Sequence, residues 1–319
     1  MTSHHESPLK IGWFDTEAFD AHKHQSNHPE APIRVQAIRE ELEKGRIRRS
    51  LERIEPRAAT FEEMNAVHPE GYLKMLQALC EEGGGFLGPD TTCIKQSWEA
   101  ATRAAGALCE AVENILHHRR WPRAFCSVRP PGHHAPKNKA MGFCLLNNVA
   151  IAAEKALTHE GIDRVAIIDW DVHHGNGTQD IFYDRNDVYF FSIHQSPLYP
   201  GTGPAHERGR GAGHGFTKNI PFAAGFGDDE LLQTWRETIR PSLEDFQPQI
   251  VLISAGFDGD HRDPLGGLEY TPKGYEAISA ELAEWAKQHC QGRVISALEG
   301  GYNPQALAED VRVHLETFV

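Results

Sequence analysis

Residues 165–177 read VAIIDWDVHHGNG, and this stretch decides the fold. Its first five residues form a short apolar run rich in β-branched side chains, too brief for a helix, and so predict a buried strand. Its second half turns abruptly to Asp, His, Gly and Asn, so the strand ends in side chains suited to chemistry. Working outward, similar apolar runs recur at residues 11–14, 124–128, 188–193, 250–254 and 294–298. Between them lie stretches of helical character at 33–44, 71–82, 95–116, 145–160, 229–246, 273–290 and 304–318. Strands alternating with helices of this length imply right-handed crossovers and a parallel sheet with helices on both faces, an α/β fold. No low-complexity linker, internal repeat or charge run divides the chain, which reads as one domain over residues 1–319. The glycine-rich stretches 83–85 and 209–215 (GRGAGHG) do not join a strand to a helix as a nucleotide loop must, and read as flexible loops.

With 319 residues, 40% hydrophobic and 24% charged, the chain can bury a substantial core. Its formal charge of −13, from 32 Lys and Arg against 45 Asp and Glu, argues against direct nucleic-acid binding and suits cationic substrates. No run approaches the roughly 18 apolar residues of a membrane span. The polar start MTSHHESPLK lacks the order of a signal peptide, so a cytoplasmic protein without membrane association is expected. The six cysteines, Cys80, Cys93, Cys109, Cys126, Cys144 and Cys290, form no CxxC pair and read as reduced, buried thiols. Several of the nineteen histidines lie beside Asp, Gly and Pro rather than on apolar helix faces, a distribution that points to chemistry.

Open parallel sheets bind ligands beyond the carboxyl ends of their strands, and four apolar runs deliver reactive residues there. They lead into Arg129-Pro-Pro-Gly-His133-His134, Asp169-Trp-Asp171-Val-His173-His174-Gly-Asn176, Ala255-Gly-Phe-Asp258 and Glu299-Gly300-Gly-Tyr302. Asp171 and His173, two residues apart in an extended segment, point the same way and can share a metal. Asp258, ending another strand at the same edge, completes an Asp-His-Asp set with open positions for water and substrate. Zinc is the first expectation, while Fe(II), Co(II) or Mn(II) suit the same donors. A lone DxH is more often a surface loop pair; the accompanying motifs favour the metal. His133 and His134 can form a proton relay with Asp169 and Asn176 each bonding one ring, or can simply cap a Pro-Pro-Gly turn in a packed core. Tyr302, after two glycines, can donate to an oxyanion.

The motifs RPPGHH, DxDxHHGNG, SAGFD and EGGY, in this order, resemble the histone deacetylase superfamily, which includes acetylpolyamine amidohydrolases and acetoin-utilisation proteins. The resemblance runs from His28-Pro29-Glu30 with Pro32 and Arg34, through Asn219-Ile220-Pro221, to Tyr302. It implies the single-domain arginase/deacetylase fold around an eight-stranded parallel sheet, two strands more than the apolar runs reveal. It further implies zinc on Asp171, His173 and Asp258, His134 as general base and then acid, and His133 as an electrostatic partner bonded to Asp169. Tyr302 would stabilise the oxyanion. A structural potassium ion would lie near Asp169, Asp171, His173, Ser192 and Ile193, and a second near Phe182, Arg185 and Val188. Gly142, Phe143, Tyr199, Leu265 and Gly300 would line the substrate channel. Asn176 stands where class I members carry Asp, so class II is the nearer likeness, and Tyr302 is not the His of class IIa.

The resemblance makes acetyl-lysine in a peptide or protein the first substrate expected, because the family's polyamine-selective branch carries an acidic residue where Leu265 stands, and Leu265 cannot attract a polyamine's second ammonium group. Acetylpolyamines, or other small acylated amines, are the runner-up. An arginase-type enzyme would need further ligands for a second metal, which Asp171-Val-His173-His174-Gly175 does not supply. A non-catalytic acetyl-ligand binder would not need every reactive position filled. Specificity is assigned to the loops at 18–31, 83–92 and 196–215.

Overall fold

The computed structural model describes residues 10–24 and 27–319. The polar start falls outside these residues except for Lys10, as do residues 25 and 26 of the first loop. Among the described residues ten strands form: β1 Ile11–Phe14, β2 Leu51–Ile54, β3 Gly84–Phe86, β4 Thr92–Ile94, β5 Arg123–Cys126, β6 Val165–Asp169, β7 Val188–Gln195, β8 Thr217–Phe222, β9 Ile250–Ala255 and β10 Val294–Leu298. Eight of them make one parallel sheet in the order β2-β1-β5-β10-β9-β6-β7-β8. β1, β5, β6, β9 and β10 are buried along their whole length, as a sheet covered on both faces requires, and therefore show no polar alternation.

Helices Ile33–Lys44, Pro304–Glu316 and Pro272–His289 pack side by side, and Ser97–Leu116 packs with Asn148–Leu157. The alanine-rich sequence of Ser97–Leu116 favours the helix and lets neighbours approach closely. Side chains start two of the others: Asn147 accepts from the Ala150 amide, and Asn303 from the Ala306 amide, with Pro304 at the first helical position. His314 is locked between Ser279 Oγ at 2.7 Å and Ser296 Oγ at 2.9 Å, and burial lowers its pKa to about 3. This histidine holds two helices and β10 together, so part of the histidine richness is structural.

The two strands missing from the apolar-run reading are the edges. β2 is LERI and β8 is TKNIPF, both partly exposed and carrying charged or polar residues, with Pro221 tolerated because β8 has a free side. The 83–85 stretch is not simply a loop: Gly84–Phe86 pairs antiparallel with Thr92–Ile94. The 124–128 run forms a strand that begins one residue earlier and ends two residues earlier, and 229–246 is interrupted by a π-helical turn at Trp235–Ile239. Among the described residues no helix is long and apolar enough to cross a membrane.

Candidate active site and metal centre

The four loops carrying the reactive residues leave β5, β10, β9 and β6, which are consecutive in the sheet. Sequence positions as distant as 133 and 302 therefore meet over its middle. Asp171 and His173 do not lie in an extended segment: β6 ends at Asp169 and the chain then bends, with the His173 amide donating to Asp171 Oδ1 at 2.8 Å. The bend still brings their functional atoms together. His173 Nδ1 lies 2.9 Å from Asp171 Oδ1 and 3.1 Å from Asp258 Oδ2.

Each carboxylate is anchored by a backbone amide from another loop. Asp171 Oδ2 accepts the Gly300 amide at 2.7 Å, and Asp258 Oδ1 accepts the Val172 amide at 2.9 Å. Asp258 Oδ2 is buried without a hydrogen-bond partner. An unpartnered buried carboxylate oxygen is costly unless a cation meets it, and these two oxygens with one imidazole nitrogen form a donor set that fits zinc. Gly300 is required beside it, because a Cβ there would lie 2.0 Å from Asp258 Oδ2. Burial opposes charge on His173, but Asp171 and Asp258 outweigh it and raise its pKa to about 10. Proton and metal thus compete for the same nitrogen.

The paired histidines diverge in environment. His133 Nδ1 meets Asp169 Oδ2 at 2.9 Å, whereas His134 Nδ1 meets the neutral Asn176 Oδ1 at 2.7 Å. For His133, burial is outweighed by Asp169, Asp171 and Glu299, which hold its pKa well above the usual value. For His134, burial and the neighbouring charges of His133 and His173 hold it well below. One ring is kept cationic and its neighbour neutral, the separation that acid–base work needs.

Above these groups is a cavity of about 310 Å³ lined by Asp90, Pro131, His133, His134, Gly142, Phe143, His173, Leu198, Tyr199, Leu265, Gly300 and Tyr302. All five residues expected in the channel are on its wall. Gly142 and Phe143 make a tight turn with φ of 55° and 68°, held by Thr91 Oγ1 on the Phe143 amide at 3.0 Å. A Cβ on Gly142 would lie 2.3 Å from His134 Cδ2. Tyr302 has the Arg34 guanidinium over its ring at 4.9 Å and Phe143 edge-on at 6.2 Å. Burial, with Asp258 and Asp171 nearby, outweighs Arg34 and keeps its phenol protonated, well above the usual value.

The residues expected around the inner potassium share one end of the sheet, with Asp169 paired in register to Ser192. Phe182, Arg185 and Val188 surround the turn into β7, where the Phe182 carbonyl already accepts the Arg185 amide at 3.0 Å. Sequence reasoning assigned no role to Glu299, which is buried and accepts from the Gly132 amide at 2.6 Å, the His133 amide at 3.1 Å and Ser254 Oγ at 3.2 Å. It also overlooked Asp90, whose only signal was its place in a Gly-Pro-Asp turn.

Among the described residues a second cluster, His22, His24 and Glu30, also gathers three atoms of metal-ligand type. Its chemistry differs. Glu30 is paired with Arg129 through both oxygens and with Arg34 at 3.1 Å, and it accepts from His24 Nε2 at 3.1 Å. Two guanidiniums already answer its charge, so this cluster is an ion-pair network.

Fold and site together define an α/β protein with a triad of metal-ligand type and a histidine pair at the carboxyl edge of a parallel sheet. The histone deacetylase domain model matches residues 28–318, and the chain belongs to the histone deacetylase family. It is 40% identical over 290 residues to a probable deacetylase of Archaeoglobus fulgidus, covering 90% of this chain and 80% of the relative. It is 37% identical over 279 residues to the histone deacetylase-like amidohydrolase of Pseudomonas aeruginosa, covering 87% and 73%. The crystal structure of the HDA15 HD domain superposes with a TM-score of 0.92 at 34% identity, covering 97% of this chain and 88% of that one.

Proposed function

We propose that this protein, one deacetylase domain over residues 1–319, is a zinc-dependent hydrolase that removes acetyl groups from acetylated amines, acetyl-lysine in peptides or proteins first. The observation that carries this reading is the convergence of Asp171, His173 and Asp258 on one point beside a neutral His134, at the base of a cavity with an apolar wall. Zinc, when bound, supplies Lewis-acid polarisation of the acyl carbonyl and acidifies water to a pKa of ~7. The protein's own residues supply the rest. His134, neutral and buried, accepts the proton of the attacking water and returns it to the amine nitrogen, without which that nitrogen is a poor leaving group. His133, held cationic by Asp169, offsets negative charge that develops beside it. The protonated Tyr302 hydroxyl donates to the oxyanion. Potassium near Asp169 and Ser192 would stiffen the loop that carries two zinc ligands.

Phe143, Tyr199 and Leu265 give the cavity an apolar wall suited to an aliphatic amine chain. Asp90 on the same wall and the charge of −13 favour cationic amines, which keeps acetylpolyamines as the second reading. The test is acetate release by zinc-loaded protein from an acetyl-lysine peptide, N-acetylputrescine and N-acetylspermidine. Peptide turnover that falls by about 10²-fold in Tyr302→Phe supports the lysine reading. Preference for the polyamines moves it to the second, and no turnover of any of the three removes it.

A further inference from the structure

Asp263 lies outside the metal set and the histidine pair, yet one buried carboxylate there gathers three backbone amides from both sides of the cavity. Its Oδ1 accepts the Leu265 amide at 2.9 Å, and its Oδ2 accepts the Tyr302 amide at 2.5 Å and the Asn303 amide at 3.3 Å. The bond is returned: the Asn303 side-chain amide donates to the Arg262 carbonyl at 3.1 Å. Leu265 and Tyr302 both face the cavity, so this clasp ties two of its walls. Just before Tyr302 the chain passes through Gly301 at φ 119°, a conformation open to glycine, and the loop ahead is fastened elsewhere. The Gly300 amide is on Asp171, and the Gly301 carbonyl is on Arg34 Nε at 2.6 Å. Asp263 is the group that fixes the backbone at Tyr302 itself.

We propose that Asp263 is a positioning residue that acts through Tyr302, holding its phenol over the reacting carbonyl. The proposal rests on the hydrolase reading above. Asp263 touches neither substrate nor metal, so its loss lowers kcat while KM and zinc content stay near those of the wild type.

A cycle of Asp263→Ala and Tyr302→Phe tests it. In the otherwise native enzyme Asp263→Ala lowers kcat by about 10²-fold, the scale of a misplacement of ~1 Å. In the Tyr302→Phe background it costs almost nothing more, because the group it positions is already gone. Asp263→Asn, which keeps the shape and one acceptor oxygen, recovers part of the loss. An equal loss in both backgrounds, or native kcat in Asp263→Ala, overturns the proposal. Amide hydrogen exchange at residues 302 and 303 provides a readout that needs no turnover and is expected to quicken by at least about tenfold in Asp263→Ala. Unchanged exchange overturns the clasp even if the wild type proves silent on acetyl substrates. Wild-type silence with quickened exchange condemns the hydrolase reading and leaves the clasp standing.

Discussion

Asp171–His173–Asp258 and His22–His24–Glu30 are alike in outline and opposite in electrostatics. Each gathers imidazole and carboxylate in the interior, and each leaves one buried atom without a partner, Asp258 Oδ2 in the first and His22 Nε2 in the second. In the first cluster two carboxylates face one imidazole, so negative charge is in excess and a dication is the economical partner. In the second, one carboxylate faces Arg129 and Arg34, and a dication would add to positive charge already present. An unpartnered neutral imidazole nitrogen also costs far less than an unpartnered carboxylate oxygen. Ligand-type atoms at ligand-like spacing are therefore an insufficient criterion. The local sum of charge separates a metal centre from an ion-pair network.

The largest expected effect tests that separation directly. Asp258→Ala should reduce bound zinc, measured by elemental analysis after dialysis, from about one per chain to a trace, while His22→Ala leaves it at one. A second zinc per wild-type chain that disappears with His22→Ala would break the comparison. Next comes His134→Ala, which should lower kcat by about 10²–10⁴-fold with zinc retained. Loss of zinc along with turnover would make His134 part of the first cluster instead of its neighbour.

Removing a guanidinium from the second cluster should cost stability without touching the metal. Arg129→Met leaves Glu30 underpaired in the interior, and a loss of about 3–5 kcal/mol is expected in urea unfolding. The smallest effect at any one pH step is a slope. Burial, with Arg129, His24 and His28 around it and Glu30 opposing, lowers the His22 pKa from 6.5 to about 3. The unfolded chain therefore takes up a proton that the folded one refuses. The His22 contribution is complete above pH 6.5 and is lost as pH falls from there toward 3. His22→Gln should flatten stability against pH across that window by up to ~1.4 kcal/mol per pH unit. An unchanged slope would mean that His22 titrates normally in the folded protein.

The central strands were legible because burial on both faces writes an uninterrupted apolar run, and the residues after those runs are the ones the structure gathers over the sheet. The edges β2 and β8 were not, since half-exposed strands carry Arg53, Lys218 and Asn219 and lose the signal. The second cluster was hidden for a different reason. Glu30 meets Arg129 across 99 positions of sequence, and only the family likeness of His28-Pro29-Glu30 hinted that the segment had a duty. In the sequence Asp263 is simply the acidic residue of Asp263-Pro264-Leu265. A carboxylate that binds backbone amides depends on loop geometry rather than on residue pattern, so nothing in the chain announces it.

The sheet order has a consequence for how the protein is made. β5 and β9 flank a slot that is filled by β10, whose residues 294–298 come last in sequence among the described strands of the sheet. A ribosome that has emitted both candidate metal-binding loops has yet to supply the strand that fills the centre of the sheet, along with Tyr302 and the Glu299 anchor for the histidine loop. Assembly of the site therefore waits for the final strand to insert between two long-finished neighbours. A chain stopped short of it would expose apolar strand edges of the kind that chaperones recognise.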